Sequence, residues 1–107
     1  MHVVVFEVTM KDGKSQDYFD LAASLRPELE QIEGFISVER FESVVTPSKF
    51  LSLSFWEDEA AVIRWHKDAG HGLAQQRGKA EIFADFKISV ARVERQYTMS
   101  ELLDKSW

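Results

Sequence analysis

The residues most able to do chemistry lie in the second half of the chain, where Trp65 is followed six positions later by His71. An indole offers a large apolar surface and one N–H donor, so Trp65 could stack on a flat aromatic substrate. An imidazole, with an ordinary pKa near ~6.5, could remove a phenolic proton or donate a hydrogen bond to a phenolic oxygen. Trp65 and His71 are therefore the predicted catalytic residues.

Both residues also have a purely structural interpretation. Trp65 stands at helical spacing with Ala69, which is equally the pattern of a core tryptophan. Gly70 and Gly72 flank His71 and should end or bend the helix, and a histidine at a helix end can cap carbonyl groups instead. In an unbroken helix the side chains of Trp65 and His71 point roughly 120° apart, so joint action requires the glycine break.

Three further residues are candidates for contacting a substrate beside Trp65. His66 lies about 100° around the helix from Trp65, a place that is also typical of a surface histidine. Phe83 belongs to an aromatic-rich segment further along the chain. Arg92 could hold an anionic oxygen of the substrate, or it could form a surface ion pair of little energetic value. The predicted substrate-binding residues are thus Trp65, His66, Phe83 and Arg92.

These residues must be positioned by an alternation of strands and helices. Apolar runs rich in β-branched residues predict strands at 2–10, 35–45, 49–56 and 85–97. A first helix is expected before Gly34, capped by Ser15 or Asp17 and kinked or restarted at Pro27. A second helix should follow the acidic residues 57–59, and capping-box spacing predicts a short C-terminal helix after Thr98.

This order, β-α-β-β-α-β, predicts an α+β ferredoxin-like domain over residues 1–107 with a four-stranded antiparallel sheet. Both helices then cover one face of the sheet. The first strand nevertheless places Val3 and Val5 on one face and Val4, Phe6 and Val8 on the other. Because a sheet that is apolar on both sides needs two covering layers, we expect a homodimer. Its tail at 98–107 would dock on the partner subunit or on its own sheet edge.

The composition excludes several classes of protein. A net charge of −5 without a basic stripe argues against nucleic-acid binding. The absence of cysteine removes disulfides, thiolate zinc sites, iron–sulfur clusters and a cysteine nucleophile. His66 and His71 are five residues apart, which does not suit a helical metal pair, so no metal is expected. No signal peptide or membrane-spanning stretch is recognised, and a cytoplasmic protein without a membrane partner is expected.

A distinctive series of sequence features begins with the segment from Phe55 to Trp65, in which Trp56 ends a predicted strand. It continues through His71, a glycine before the aromatic-rich segment, and a last strand that ends in Arg-x-Tyr at 95–97. This series, together with the Gly34-Phe35 junction, resembles the antibiotic biosynthesis monooxygenase domain family over nearly the whole chain. The resemblance implies a dimeric α+β barrel and one of two activities, namely cofactor-independent oxidation to quinones or degradation of haem.

The chain lacks particular residues that the family members with each of these two activities use. Haem-degrading members use an asparagine on the first strand and a histidine ten residues after the second tryptophan, where this chain has Phe6 or Glu7 and Gln75. Quinone-forming members also use asparagine, and this sequence contains none. The expected function is oxidation of a planar aromatic, such as a polyketide phenol or quinol, by O2 without a bound cofactor. The alternatives are a haem-binding, haem-degrading monooxygenase and a non-catalytic dimer that binds a small molecule.

Overall fold

The computed structural model describes residues 1–68, 72 and 76–104. Four strands form one antiparallel sheet in the order β2-β3-β1-β4. The elements are β1 His2–Met10, α1 Ser15–Gln31, β2 Phe35–Glu42, β3 Lys49–Trp56, α2 Glu59–Lys67, a π-helical turn Gly78–Ile82, β4 Phe83–Arg92 and α3 Met99–Asp104. This arrangement confirms the predicted α+β ferredoxin-like fold with a short C-terminal helix.

The strand bounds show where pairing ends. β1 and β3 have the predicted limits, whereas β2 stops at Glu42 because the following loop bonds to itself, with the Thr46 N–H donating to Ser43 Oγ at 3.0 Å. β4 is displaced toward the N-terminus and ends at Arg92, which pairs with His2 at the beginning of β1. A strand can extend only as far as its neighbour offers backbone partners.

Helix α1 corrects two expectations. Lys14, not Ser15 or Asp17, occupies the N-cap position and makes no side-chain cap. Asp17 lies in the first turn and pairs with Lys14 at 3.4 Å. The helix also continues through Pro27 without a fresh turn. Pro27 and Ala23, whose carbonyl loses its helical donor, are both exposed, so water can replace the missing hydrogen bond.

The core lies between the two helices and one face of the sheet, in two clusters of buried side chains. The larger gathers where β1, α1 and the π-helical turn meet, and its members are Val8, Met10, Tyr18, Phe50, Ile82 and Phe83. The smaller is centred on Trp56, which is completely buried, with Val4, Ala61 and Val62 around it. The indole N–H of Trp56 donates to the Ser54 hydroxyl at 3.0 Å, which satisfies a buried donor.

Gly34 sets the position of α2. Its φ of +92° is left-handed, and a Cβ built on it would lie 2.5 Å from the Cβ of Ala61. The Glu57 N–H donates to the Gly34 carbonyl at 2.8 Å, and the Arg64 guanidinium donates to the Glu33 carbonyl at 2.8 Å. Only glycine accommodates both the backbone angle and this close approach, so the turn before β2 packs directly on α2.

The opposite face of the sheet carries large apolar side chains that are partly exposed, namely Val3, Val5, Leu51, Leu53 and Phe55. We call these five residues the open face. At its edge Glu7 contacts Lys87 at 3.1 Å and Lys49 at 3.6 Å. The hydrogen bond from Lys87 is the main cause that lowers the pKa of Glu7. Within the described residues, no helix has the length and apolar character needed to cross a membrane.

Candidate functional site

A cavity of about 110 Å³ lies between α1 and the helix-facing side of the sheet. Its walls are mostly apolar and its lining residues are Phe6, Tyr18, Leu21, Ala22, Leu25, Glu28, Leu29, Ile32, Val38, Arg40, Ser52, Ser54, Trp65, Asp68 and Phe83. One water needs only about 10–15 Å³, and an apolar cavity of about 150 Å³ holds benzene. The space therefore suits part of an organic ring system.

The cavity exists because β3 presents small side chains to the helices. Ser52 and Ser54 face α1, while Leu51 and Leu53, which alternate with them, point to the open face. A strand that packs on helices ordinarily turns its large side chains toward them. Here the two serines leave space, and their hydroxyls add polar groups to its floor.

Aromatic rings form much of the wall. Phe6 meets Phe83 edge to face at 5.8 Å between ring centroids, and Tyr18 meets Phe83 at 6.0 Å. Trp65 is partly buried and lies 5.8 Å from Trp56, with 38° between the ring planes. Trp65 thus packs against the core and lines the cavity at the same time, so its two interpretations from the sequence are compatible.

Two polar residues that sequence reasoning did not select also line the cavity. Arg40 projects from β2 opposite Ser52, and its Nε is buried without a hydrogen-bond partner. Tyr18 of α1 is only 4% exposed, and this burial raises the pKa of its hydroxyl above the ordinary value of 10. The charge of nearby Arg40 and a hydrogen bond with it act in the opposite direction on the Tyr18 pKa. The sequence carried one signal for Arg40, because it lies two residues after the apolar Val38 on the same strand and its side chain therefore points to the same face of the sheet.

The predicted site residues fall in different places. Trp65 and Phe83 both line the cavity, so the structure brings these two together. His66 is exposed on α2, and Arg92 is exposed at the end of β4, and neither is among the lining residues. His71 lies outside the described residues. Its role as catalytic base stays a prediction, as do the binding roles of His66 and Arg92.

Solved structures with the same architecture cover most of this chain. A Deinococcus radiodurans protein assigned as an antibiotic biosynthesis monooxygenase superposes with a TM-score of 0.82, at 16% identity, over 92% of this chain and 98% of its own. SnoaB, a cofactor-independent oxygenase from Streptomyces nogalater, superposes with a TM-score of 0.77, at 12% identity, over 89% of this chain and 94% of its own. At these identities the likeness establishes the fold alone.

Sequence comparison gives the closer relation. The jasmonate monooxygenase ABM of Pyricularia oryzae is 37% identical over 102 residues, which are 95% of this chain. This chain spans only 47% of that protein's length. The sequence model of the antibiotic biosynthesis monooxygenase family matches residues 1–77. On the strength of that match and that identity, this chain belongs to the antibiotic biosynthesis monooxygenase family.

Proposed function

We propose that the protein is a cytoplasmic homodimeric monooxygenase that oxidises a planar phenol or quinol with O2 and without a bound cofactor. The single observation that carries the proposal is the cavity with aromatic walls between α1 and the sheet, in a member of this family. Its apolar lining favours a flat ring system, and Trp65 offers a stacking surface at one end.

The proposed reaction needs no reductant other than the substrate. A phenol that exchanges one ring hydrogen for oxygen becomes a quinone, and one O2 is consumed. One oxygen atom enters the ring, and the other leaves as water with the ring hydrogen and the phenolic hydrogen. The electrons that reduce O2 come from the phenolate, so the protein must remove a proton, exclude water and hold the ring.

The chain supplies residues for each of these tasks. Leu21, Leu25 and Leu29 on α1 line the cavity together with Phe83 and replace solvent around the bound ring. Trp65 stacks on the ring and orients it. His71 remains our candidate for the general base, on the reasoning from the sequence alone.

Oxygen uptake tests this function directly, with anthrone or a reduced naphthoquinol as substrate and the uncatalysed rate subtracted. We expect catalysed uptake by the wild type and a rate lower by about tenfold in Trp65→Ala, since one aromatic contact is lost. Ile63→Ala, an exposed change on the same helix, should keep the wild-type rate. Uptake no faster than in buffer would refute the function, and ligand binding without uptake would favour the non-catalytic alternative.

The homodimer is proposed from the open face. Val5, Leu53 and Phe55 are large apolar side chains near its centre that stay partly exposed in the isolated chain. A second copy placed sheet to sheet would bury them and complete the second layer. Sedimentation should show a dimer for the wild type and for Ile63→Glu, and a single copy for Leu53→Glu. A wild type that sediments as a stable single copy at high dilution would contradict this proposal.

Oxygenation of jasmonate is a second candidate, favoured by the 37% identity to the Pyricularia oryzae enzyme of that name. Insertion of one oxygen atom into a C–H bond of jasmonate requires two electrons and two protons in addition to O2. The assay therefore includes NADH as donor. A product one oxygen heavier, formed only with protein, would support jasmonate, whereas oxygen uptake confined to anthrone would support the phenol.

A further inference from the structure

Arg40 is a cation that lines a cavity whose walls are mostly apolar. The cross-strand register pairs it with Ser52, and Ser52 pairs in turn with Phe6 of β1. Residues directly opposite each other in a sheet share one face, so Arg40, Ser52 and Phe6 form one row across the cavity floor. A purely packing role at this position would be filled better by an apolar residue such as the neighbouring Val38.

The guanidinium is not neutralised by the part of the chain that the structure describes. The ion pairs among the described residues join other groups, and none of them includes Arg40. The Nε–H is buried and has no acceptor, whereas the guanidinium interacts with the Tyr18 hydroxyl, because both the charge of Arg40 and a hydrogen bond with it act to lower the Tyr18 pKa. A buried donor without a partner is costly, more so when it is charged, so Arg40 is poised to receive an acceptor from outside the chain.

Two acidic residues also line the cavity, and their placement limits their effect on Arg40. Glu28 is exposed on α1, and Asp68 follows the last turn of α2. Neither lies within ion-pair distance of Arg40. Among the described lining residues Arg40 is therefore the one positive group, and an entering anion would meet it on the floor of the cavity.

We infer that Arg40 anchors an anionic oxygen of the substrate, and that the cavity accepts compact apolar ring systems carrying a carboxylate or a phenolate. This inference rests on the proposed function, because it names the substrate class of the same site. The Nε–H donates to the anion, and the Ser52 hydroxyl beside it supplies a second donor. Arg40 thereby holds the ring in a single orientation.

The test compares three probes of similar shape, measured anaerobically by isothermal titration so that no turnover occurs. Naphthoate carries a permanent anion, its methyl ester carries none, and naphthol becomes anionic only if the site deprotonates it. The proteins are the wild type, Arg40→Gln, Arg40→Lys and the matched control Arg26→Gln, whose arginine is exposed on α1. Circular dichroism confirms that each variant is folded.

We expect the wild type and Arg26→Gln to bind naphthoate roughly tenfold to a hundredfold more tightly than the ester, the range for a charge-assisted hydrogen bond. Arg40→Gln should lose this preference, and Arg40→Lys should keep part of it. A naphtholate absorption band that appears on the wild type and not on Arg40→Gln would show that the site also takes a phenolate, and its absence would leave the carboxylate as the ligand.

Equal affinity of the wild type for naphthoate and its ester, without the naphtholate band, overturns the inference and needs no variant. A preference for naphthoate that survives in folded Arg40→Gln overturns it too. Because binding is measured without O2, the outcome is separate from the oxygen-uptake assay. A protein that selects naphthoate through Arg40 yet consumes no O2 would refute the monooxygenase and leave the anchor in place.

Discussion

Replacement of Gly34 by alanine should loosen α2 from the sheet, for two separable reasons. The first is the left-handed backbone, with φ of +92°, which disfavours any Cβ. The second is the close approach of α2, because the new Cβ would lie 2.5 Å from the Cβ of Ala61, itself fully buried. Gly13 is a matched control, since its φ is +75° and nothing lies within 4 Å of a Cβ there.

The magnitude follows from these two contributions. An alanine held in the left-handed backbone region destabilises the folded state by about 1–2 kcal/mol. The change from glycine also lowers the conformational entropy of the unfolded chain, which stabilises the protein by about 0.4–1 kcal/mol. Overpacking against buried Ala61 adds about 1–3 kcal/mol, because the first turn of α2 must shift. We therefore expect Gly13→Ala to lower the free energy of unfolding by about 1 kcal/mol or less, and Gly34→Ala by about 2–4 kcal/mol.

Urea unfolding followed by tryptophan fluorescence measures both values, at one protein concentration so that any association is constant. Ala61→Gly removes the atom that the new Cβ would strike. The double variant Gly34→Ala with Ala61→Gly should recover about 1–3 kcal/mol relative to the sum of the single changes. A shifted α2 would also displace Trp65, so Gly34→Ala should bind naphthol more weakly than Gly13→Ala does.

Two results would refute this reasoning. If Gly34→Ala and Gly13→Ala are equally stable, the close approach of α2 contributes nothing and only the backbone angle matters. If Ala61→Gly gives no recovery in the double variant, the destabilisation does not arise at this contact.

Asp58→Ala should lower the free energy of unfolding by about 1 kcal/mol in urea titrations, because the carboxylate that accepts from the Ala61 N–H at 2.9 Å caps α2. Ser54→Ala should cost about 1–3 kcal/mol in the same measurement, since the completely buried Trp56 loses its acceptor. Burial raises the pKa of Tyr18, so its contribution is complete below pH 10 and is lost as the pH rises through the raised value. The wild type should therefore lose more stability above pH 10 than Tyr18→Phe does.

Exposed residues of the same types serve as controls for these three changes. Glu57→Ala keeps the cap and Ser24→Ala lies on the solvent side of α1, so each should stay within about 0.5 kcal/mol of the wild type. Tyr97→Phe should lose as much stability above pH 10 as the wild type does. An effect of Asp58→Ala or Ser54→Ala no larger than its control would contradict the corresponding contact, as would identical alkaline profiles of the wild type and Tyr18→Phe.

Much of the fold could be predicted because it depends on local patterns. Alternating apolar residues located β1 and β3 to the residue, and the short connection between β2 and β3 correctly indicated an antiparallel hairpin. Capping-box spacing correctly placed the C-terminal helix, where the Glu101 N–H donates to the Thr98 hydroxyl at 3.3 Å. Such patterns depend on residues that are close together in the chain, so they can be interpreted without knowing which other elements pack against them.

The ends of β2 and β4 and the cap of α1 could not be predicted in the same way. β4 ends at Arg92 because its neighbour β1 begins at His2, and a sequence does not reveal which residue will lie opposite another. α1 begins without a side-chain cap, and its first hydrogen bond is the ordinary helical one from the Tyr18 N–H to the Lys14 carbonyl at 3.1 Å. These limits depend on partners that are distant in the chain or set by backbone geometry.

For the site, sequence reasoning selected Trp65 and Phe83 as aromatic residues, and both line the cavity, while their functional roles stay predictions. Only the tertiary structure showed that Arg40, Ser52 and Tyr18 line one cavity, because β2, β3 and α1 meet there through cross-strand register and helix packing. Charge and hydrogen bonding act over a few ångströms in space. Arg40 lies 12 positions from Ser52 and 22 positions from Tyr18 in the chain, and the three residues come close together only when the chain folds.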